Sequence, residues 1–90
     1  MLFSLGQVVA TPGAIRALEE NHVDAWSLLR RHANGDWGCL PLEDQQENCR
    51  SVEAGWRILS SYVLNERGDK LWVITEADRS STCLLLPSEY

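Results

Sequence analysis

The sequence predicts an α+β fold, three N-terminal helices followed by a three-stranded antiparallel β-meander, in a single domain over residues 1–90. Three observations carry this expectation. Before Gly55 the apolar residues recur at three- and four-residue steps, the period of a helix face. From Arg57 the period becomes two, the alternation of a strand. Two clusters of turn residues, Glu66-Arg67-Gly68-Asp69 and Asp78-Arg79-Ser80-Ser81, then cut the second half into thirds.

Residues 2–9 form a short apolar stretch that can pair as a strand or simply pack. Thr11-Pro12 is a helix start, since threonine accepts from free backbone donors and proline suits the first turn. Ile15 and Leu18 share a face of this helix, with Ala14 close by, and Asn21 and His22 end it. Asp24 is the next N-cap, and Val23 and Leu28 have the spacing of a hydrophobic staple. Trp26, Leu29 and Ala33 add apolar surface, and Asn34-Gly35 stops the helix because both residues tolerate left-handed backbone. Residues 12–21 and 25–33 thus make a short helix pair.

GDWGCLP, residues 35–41, reads as a loop that Trp37 anchors to the core. In the third helix Leu42, Gln45, Cys49, Val52 and Trp56 define the expected buried face. Glu43, Glu47, Arg50 and Glu53 lie opposite, and Glu43, Asp44 and Glu47 complement the helix dipole. Gly55 weakens the helix end. Ile58, Ser60, Tyr62 and Leu64 then alternate with Leu59, Ser61 and Val63. A hairpin with Gly68 in left-handed geometry leads to Leu71, Val73 and Thr75, which alternate with Trp72, Ile74 and Glu76. Residues 82–86 make the third strand, which Pro87 ends. Strands two and three are apolar on both faces. One helical layer leaves one face open to a partner or a second copy, unless the N-terminal segment and the helix pair cover it.

Composition narrows the function. Apolar residues make up 44% of the chain and charged residues 23%, which suits a globular domain rather than a disordered one. Thirteen acidic and eight basic residues give a net charge of −5, which disfavours direct nucleic-acid binding. Arg30-Arg31-His32 is the one basic cluster, a candidate phosphate contact that one helical turn also supplies without function. No apolar run reaches the roughly 20 residues of a membrane span. MLFSLGQVVA lacks the basic region and length of a signal peptide. Cys39, Cys49 and Cys83 cannot all pair within one chain, so a reducing, cytoplasmic setting is expected.

No metal and no cofactor are expected. The three cysteines with His22 and His32 show no closely spaced ligand pair. There is no G-x-S-x-G element and no glycine-rich phosphate loop. Buried thiols and surface histidines are the ordinary expectation. Thr75 to Thr82 packs two acids, an arginine and four hydroxyls into one hairpin connection. Glu76 and Asp78 there could act on a substrate, with Arg79 holding an anion and Ser80 beside them. The same residues are equally turn chemistry, Asp and Ser binding nearby amides and Arg79 pairing with Glu76 or Asp78. As a binding surface the candidates are Trp37, Glu76, Asp78, Arg79 and Ser80. Trp56 and Trp72 fit the core patterns, whereas Trp37, on a glycine-bounded loop, is the candidate contact.

FSLGQVVATPGA near the start, the GDWG loop and LWVITEADRSSTCLLLPSEY at the end resemble a family of small uncharacterised proteins. They come from bacterial genomes, plasmids, integrative elements and phages. Some are labelled plasmid-related proteins and others type I restriction endonuclease subunit M. The resemblance covers essentially the whole chain. A chain of 90 residues without a glycine-rich cofactor loop cannot form a Rossmann-type methyltransferase domain, so that label does not fit. The resemblance implies a small accessory module that binds a host defence or nucleic-acid-processing protein, competing for a basic face. The alternative is a small hydrolase or nuclease-like enzyme using Glu76, Asp78 and Arg79, with His22 or His32.

Overall fold

A computed structural model describes residues 1–90. In chain order the elements are β1 (Gln7–Ala10), α1 (Pro12–Glu20), α2 (Ala25–Ala33), α3 (Leu42–Ala54), β2 (Ile58–Val63), β3 (Lys70–Thr75) and β4 (Ser81–Leu85), closed by a 3-10 turn over Pro87–Glu89. The class is α+β, but the architecture corrects the expectation of three helices followed by a three-stranded meander. The sheet has four strands in the order β1-β4-β3-β2 and is mixed. β2, β3 and β4 pair antiparallel as expected, while β1, ahead of all the helices, pairs parallel with β4.

The reason β1 escapes a local pattern is its partner. Gln7 donates to the Ser80 carbonyl at 3.0 Å and Thr11 to the Leu84 carbonyl at 3.0 Å, across most of the chain. Four residues offer too little alternation to declare a strand, and a parallel partner gives no hairpin turn to read. Gly6 makes the approach possible. At φ 64° its missing side chain leaves room for the Arg79 and Ser80 carbonyls, with which a Cβ would collide.

The helix pair forms as its caps dictate. The Thr11 hydroxyl accepts from the Ala14 amide at 3.0 Å, and Asp24 Oδ1 accepts from the Trp26 amide at 3.2 Å. Ala14 and Leu18 of α1 and Leu28 and Leu29 of α2 pack against Tyr62, Leu64, Leu71, Val73 and Leu84 of the sheet. Each of the larger apolar side chains contributes about 1.5–3 kcal/mol on burial. Tyr62 is buried to its hydroxyl, which donates to the Asp36 carbonyl at 2.6 Å. A second, smaller cluster joins Phe3, Trp37 and Ile58, with Leu40 and Val52 against it. On the opposite sheet face Tyr90 meets Trp72 edge-on at 5.6 Å. The helix pair does not cover that face.

α3 corrects the sequence pattern in a different way. Its expected buried face packs only in part: Gln45 and Val52 are half-buried, but Leu42 is 68% exposed, Trp56 52%, and Cys49 is exposed as well. The residues turned inward are Asn48 and Ser51, flanked by half-buried Gln45 and Val52. The helix lies along the outer edge of β2, where Val52 touches the smaller apolar cluster and Asn48 meets strand backbone. Asn48 Nδ2 donates to the Leu59 carbonyl at 2.6 Å and its Oδ1 accepts from the Leu59 amide at 3.3 Å. The side chain thus acts as one residue of a neighbouring strand. Beside it, Ser61 donates to the Trp37 carbonyl at 3.1 Å and accepts from the Cys39 amide at 2.8 Å. Loop 37–39 and Asn48 together seal this edge of the sheet.

Candidate functional site

The β3–β4 turn is the segment with the best sequence claim to chemistry, and its Glu76, Asp78 and Arg79 side chains are all engaged within the fold. Glu76 forms a two-point ion pair with Arg57 at 3.1 and 3.3 Å. Both partners are near half exposed, so the pair contributes little. Asp78 Oδ1 accepts from the Ser80 amide at 2.9 Å, closing the turn. The Ser80 hydroxyl and amide hold the Asp78 carboxyl below the usual carboxylate range. Arg79 takes the left-handed position of this turn, at φ 62°.

The Arg79 guanidinium reaches across to α3. It donates to the Trp56 carbonyl at 2.7 Å and the Ser51 carbonyl at 2.9 Å, and to Glu76 and Ala77 within its own turn. The first two acceptors lie at the C-terminal end of α3, where a cation is favoured. Its carbon also stacks 5.5 Å from the Phe3 ring centre. Arg79 therefore ties turn, helix end and N-terminal segment together. Trp37, the other sequence candidate, is 5% exposed and offers no contact surface. Its indole fills the gap between Phe3 and Ile58, so it anchors loop 35–41 to the core as expected and the contact reading falls.

Sequence patterns did not anticipate the buried polar chain behind this turn. His32, expected at the surface, is fully buried, while Cys39 and Cys49, expected inside, are exposed. His32 Nδ1 lies 2.5 Å from Ser60 Oγ, and Nε2 lies 2.9 Å from Thr75 Oγ1. Thr75 Oγ1 lies 2.7 Å from Thr82 Oγ1, and Thr82 donates to the Leu5 carbonyl at 2.7 Å. That carbonyl can only accept, which sets the direction of every bond. Thr82 spends its proton on Leu5, so Thr75 donates to Thr82, and His32 Nε2–H donates to Thr75. Nδ1 is then the acceptor for the Ser60 hydroxyl. The ring is neutral, with its pKa pushed down to about 4, first by burial and then by the Arg79 charge. Phe3 and Trp37 close over it edge-on at 5.2 and 6.0 Å.

A serine hydroxyl bonded to a histidine has the form of an activated nucleophile. Here both residues are fully buried, and none of the surface clefts is lined by Ser60, His32, Thr75 or Thr82. Nor does any cleft touch Glu76, Asp78 or Arg79. His22 lies elsewhere, on the α1–α2 connection at the rim of a cleft of about 510 Å³. The Arg30-Arg31-His32 cluster divides as well: Arg31 pairs with Asp36 at 2.7 Å, while His32 points inward. No three His, Cys, Asp or Glu side chains gather as a metal site, and no helix is long and apolar enough to cross a membrane.

Large apolar side chains also stand at the surface: Leu42 is 68% exposed, Trp26 55%, Trp56 52%, Ile15 46% and Val9 43%. Comparison with known proteins finds no matching family model, no matching curated protein and no matching solved structure.

Proposed function

We propose that this chain is a small accessory protein of mobile-element type that acts by binding another protein, in the cytoplasm. The observation that carries this reading is the set of large apolar side chains standing in solvent, Trp26, Leu42 and Trp56 foremost. Tryptophan is the side chain most enriched at binding hot spots, and two of the four are exposed here. The net charge of −5 suits a target with a basic face, as on host defence or nucleic-acid-processing proteins. The hydrolytic alternative has less support, because Glu76, Asp78 and Arg79 are engaged in fold-holding bonds and border no cleft.

The test is site-specific photocrosslinking in cells, with the photoreactive residue placed at Leu42, Trp56 or Trp26 in turn. A stable, discrete adduct with one protein species, lost when the neighbouring apolar residue becomes aspartate, is expected. Diffuse labelling at all three positions, with a strictly monomeric purified protein, would overturn the reading.

A further inference from the structure

The two edges of the sheet are treated differently. The β2 edge is closed by Asn48 and by the backbone of loop 37–39, so the outward groups of Leu59 and Ser61 are all paired. The β1 edge has no such cover. Gln7 and Thr11 turn their amides toward β4, so the alternate residues Val8 and Ala10 turn theirs to the far side, where no strand follows. No side chain or loop bonds to the Val8 or Ala10 backbone there. An open edge carrying neither charge nor proline is a template for another strand.

A receptacle for side chains adjoins it. A cleft of about 510 Å³ opens beside Ala10, floored by Ile15, Leu18, Val23 and Ala25. Glu19, His22 and Asp24 line it as well, two carboxylates beside one imidazole. Glu19 takes part in none of the ion pairs. An edge strand next to an apolar cleft with an acidic rim supplies main-chain bonds for affinity, a pocket for alternate side chains and a charge preference.

We infer that β1 is a strand-addition site: an extended segment of a partner protein, carrying apolar and basic side chains in turn along one of its faces, pairs with Val8 and Ala10. Its apolar side chains enter the Ile15–Val23 cleft and its cations face Glu19 and Asp24. The inference rests on the protein-binding function proposed above and names its partner's chemistry. A second copy of this chain is a poorer occupant. Its own edge strand, QVVA, brings no cation, and pairing would set two acidic rims together.

The experiment titrates the isotopically labelled protein with synthetic peptides of about ten residues that carry threonine at every second position and, between, valine and lysine in turn, or valine and glutamate in turn. Fluorescence anisotropy gives the affinity and amide shifts give the location. The lysine peptide is expected to bind, with shifts centred on Val8, Ala10, Ile15 and Val23, and the glutamate peptide at least about 10-fold more weakly. Val8→Pro removes an N–H that no bond within the chain uses, and should weaken binding by about 10-fold or more. Glu19→Lys, on an exposed helix position, should weaken the lysine peptide several-fold and serves if Val8→Pro folds poorly. Shifts on another surface, or binding unchanged in both variants, overturn the strand-addition site while leaving a protein-binding role standing. A dimer that Val8→Pro abolishes identifies the occupant as a second copy and overturns the partner assigned here. No binding by any peptide, together with no crosslinked partner in cells, sinks both.

Discussion

His32 Nε2 donates to Thr75 Oγ1 over 2.9 Å, joining α2 to β3 inside the core. This bond lies in the middle of a one-way chain from Ser60 to the Leu5 carbonyl, so the ring is held as one neutral tautomer. A second proton would reverse the Nδ1–Ser60 bond and place a charge inside the core, away from water.

The pH dependence of stability follows from that burial. The folded ring has a pKa of about 4, while an unfolded chain has the ordinary value of 6.5. Between these values the unfolded chain binds a proton that the folded chain refuses. Stability is therefore full above about pH 6.5 and falls as pH drops toward about 4. The loss is of order 3 kcal/mol by the lower end. Urea denaturation from about pH 7 to about pH 4.5 should show the slope in the wild type and not in His32→Gln. The depressed carboxylates weigh in lower, Glu89 from about pH 4.5 downward and Asp36 near and below about pH 4. An equal slope in both proteins would place the acid sensitivity elsewhere.

Arg79 separates side-chain from backbone effects. Arg79→Ala removes the bonds to Trp56 and Ser51 and leaves a non-glycine residue at φ 62°, a loss of about 2 kcal/mol or more. Arg79→Gly loses the same bonds but suits the left-handed backbone, and should be about 1 kcal/mol more stable than the alanine variant. Thermal melts of the two variants check this. Identical melting temperatures would mean that the turn relaxes and stores no strain.

Asn48 stands in for a strand residue at the β2 edge. Asn48→Ala should cost about 1–3 kcal/mol, because it leaves the Leu59 amide and carbonyl without partners. Asn48→Asp should cost more, since a carboxylate cannot donate to the Leu59 carbonyl and stands almost fully buried. Hydrogen exchange at the Leu59 amide is the direct readout. Protection unchanged in Asn48→Ala would show that another group covers the edge.

Two glycines with similar backbone angles should respond unequally. Gly38 has φ 75° and a Cβ there would strike the Ser61 carbonyl that the loop pairs with. Gly55 has φ 79° with nothing within 4 Å. Gly55→Ala should therefore cost only the left-handed backbone term, about 1–2 kcal/mol. Gly38→Ala should cost at least about 1 kcal/mol beyond that, as the loop–β2 pairing is forced apart. Denaturant midpoints compare them directly.

The candidate site shows where local reading stops. Asp78-Arg79-Ser80 could be recognised as a turn from composition, and the Asp78–Ser80 bond is the expected turn chemistry. That Arg79 caps α3 could not, because Ser51 lies 28 residues away in sequence. Trp37 was legible as a core anchor for its loop and illegible as a buried residue rather than a contact, since either role uses a glycine-bounded tryptophan. His32 gave no usable signal. Only the hydroxyls of Ser60, Thr75 and Thr82 on alternating strand positions hint that a polar partner must meet them.

By itself the sequence determined what short-range forces control. Thr11-Pro12 and Asp24 start α1 and α2, Asn34 ends the second, and Gly68 turns the first hairpin, because caps and turns are settled within a few residues. The alternation from Ile58 onward determined three strands and their pairing for the same reason. The tertiary structure alone decided that residues 7–10 join the sheet, since their hydrogen-bond partners lie some seventy residues on. It also decided which side of α3 faces inward. Periodicity assumes that a helix packs against something apolar, and α3 instead turns the Asn48 amide to the backbone of a strand edge, with the Ser51 hydroxyl bonded back to its own helix.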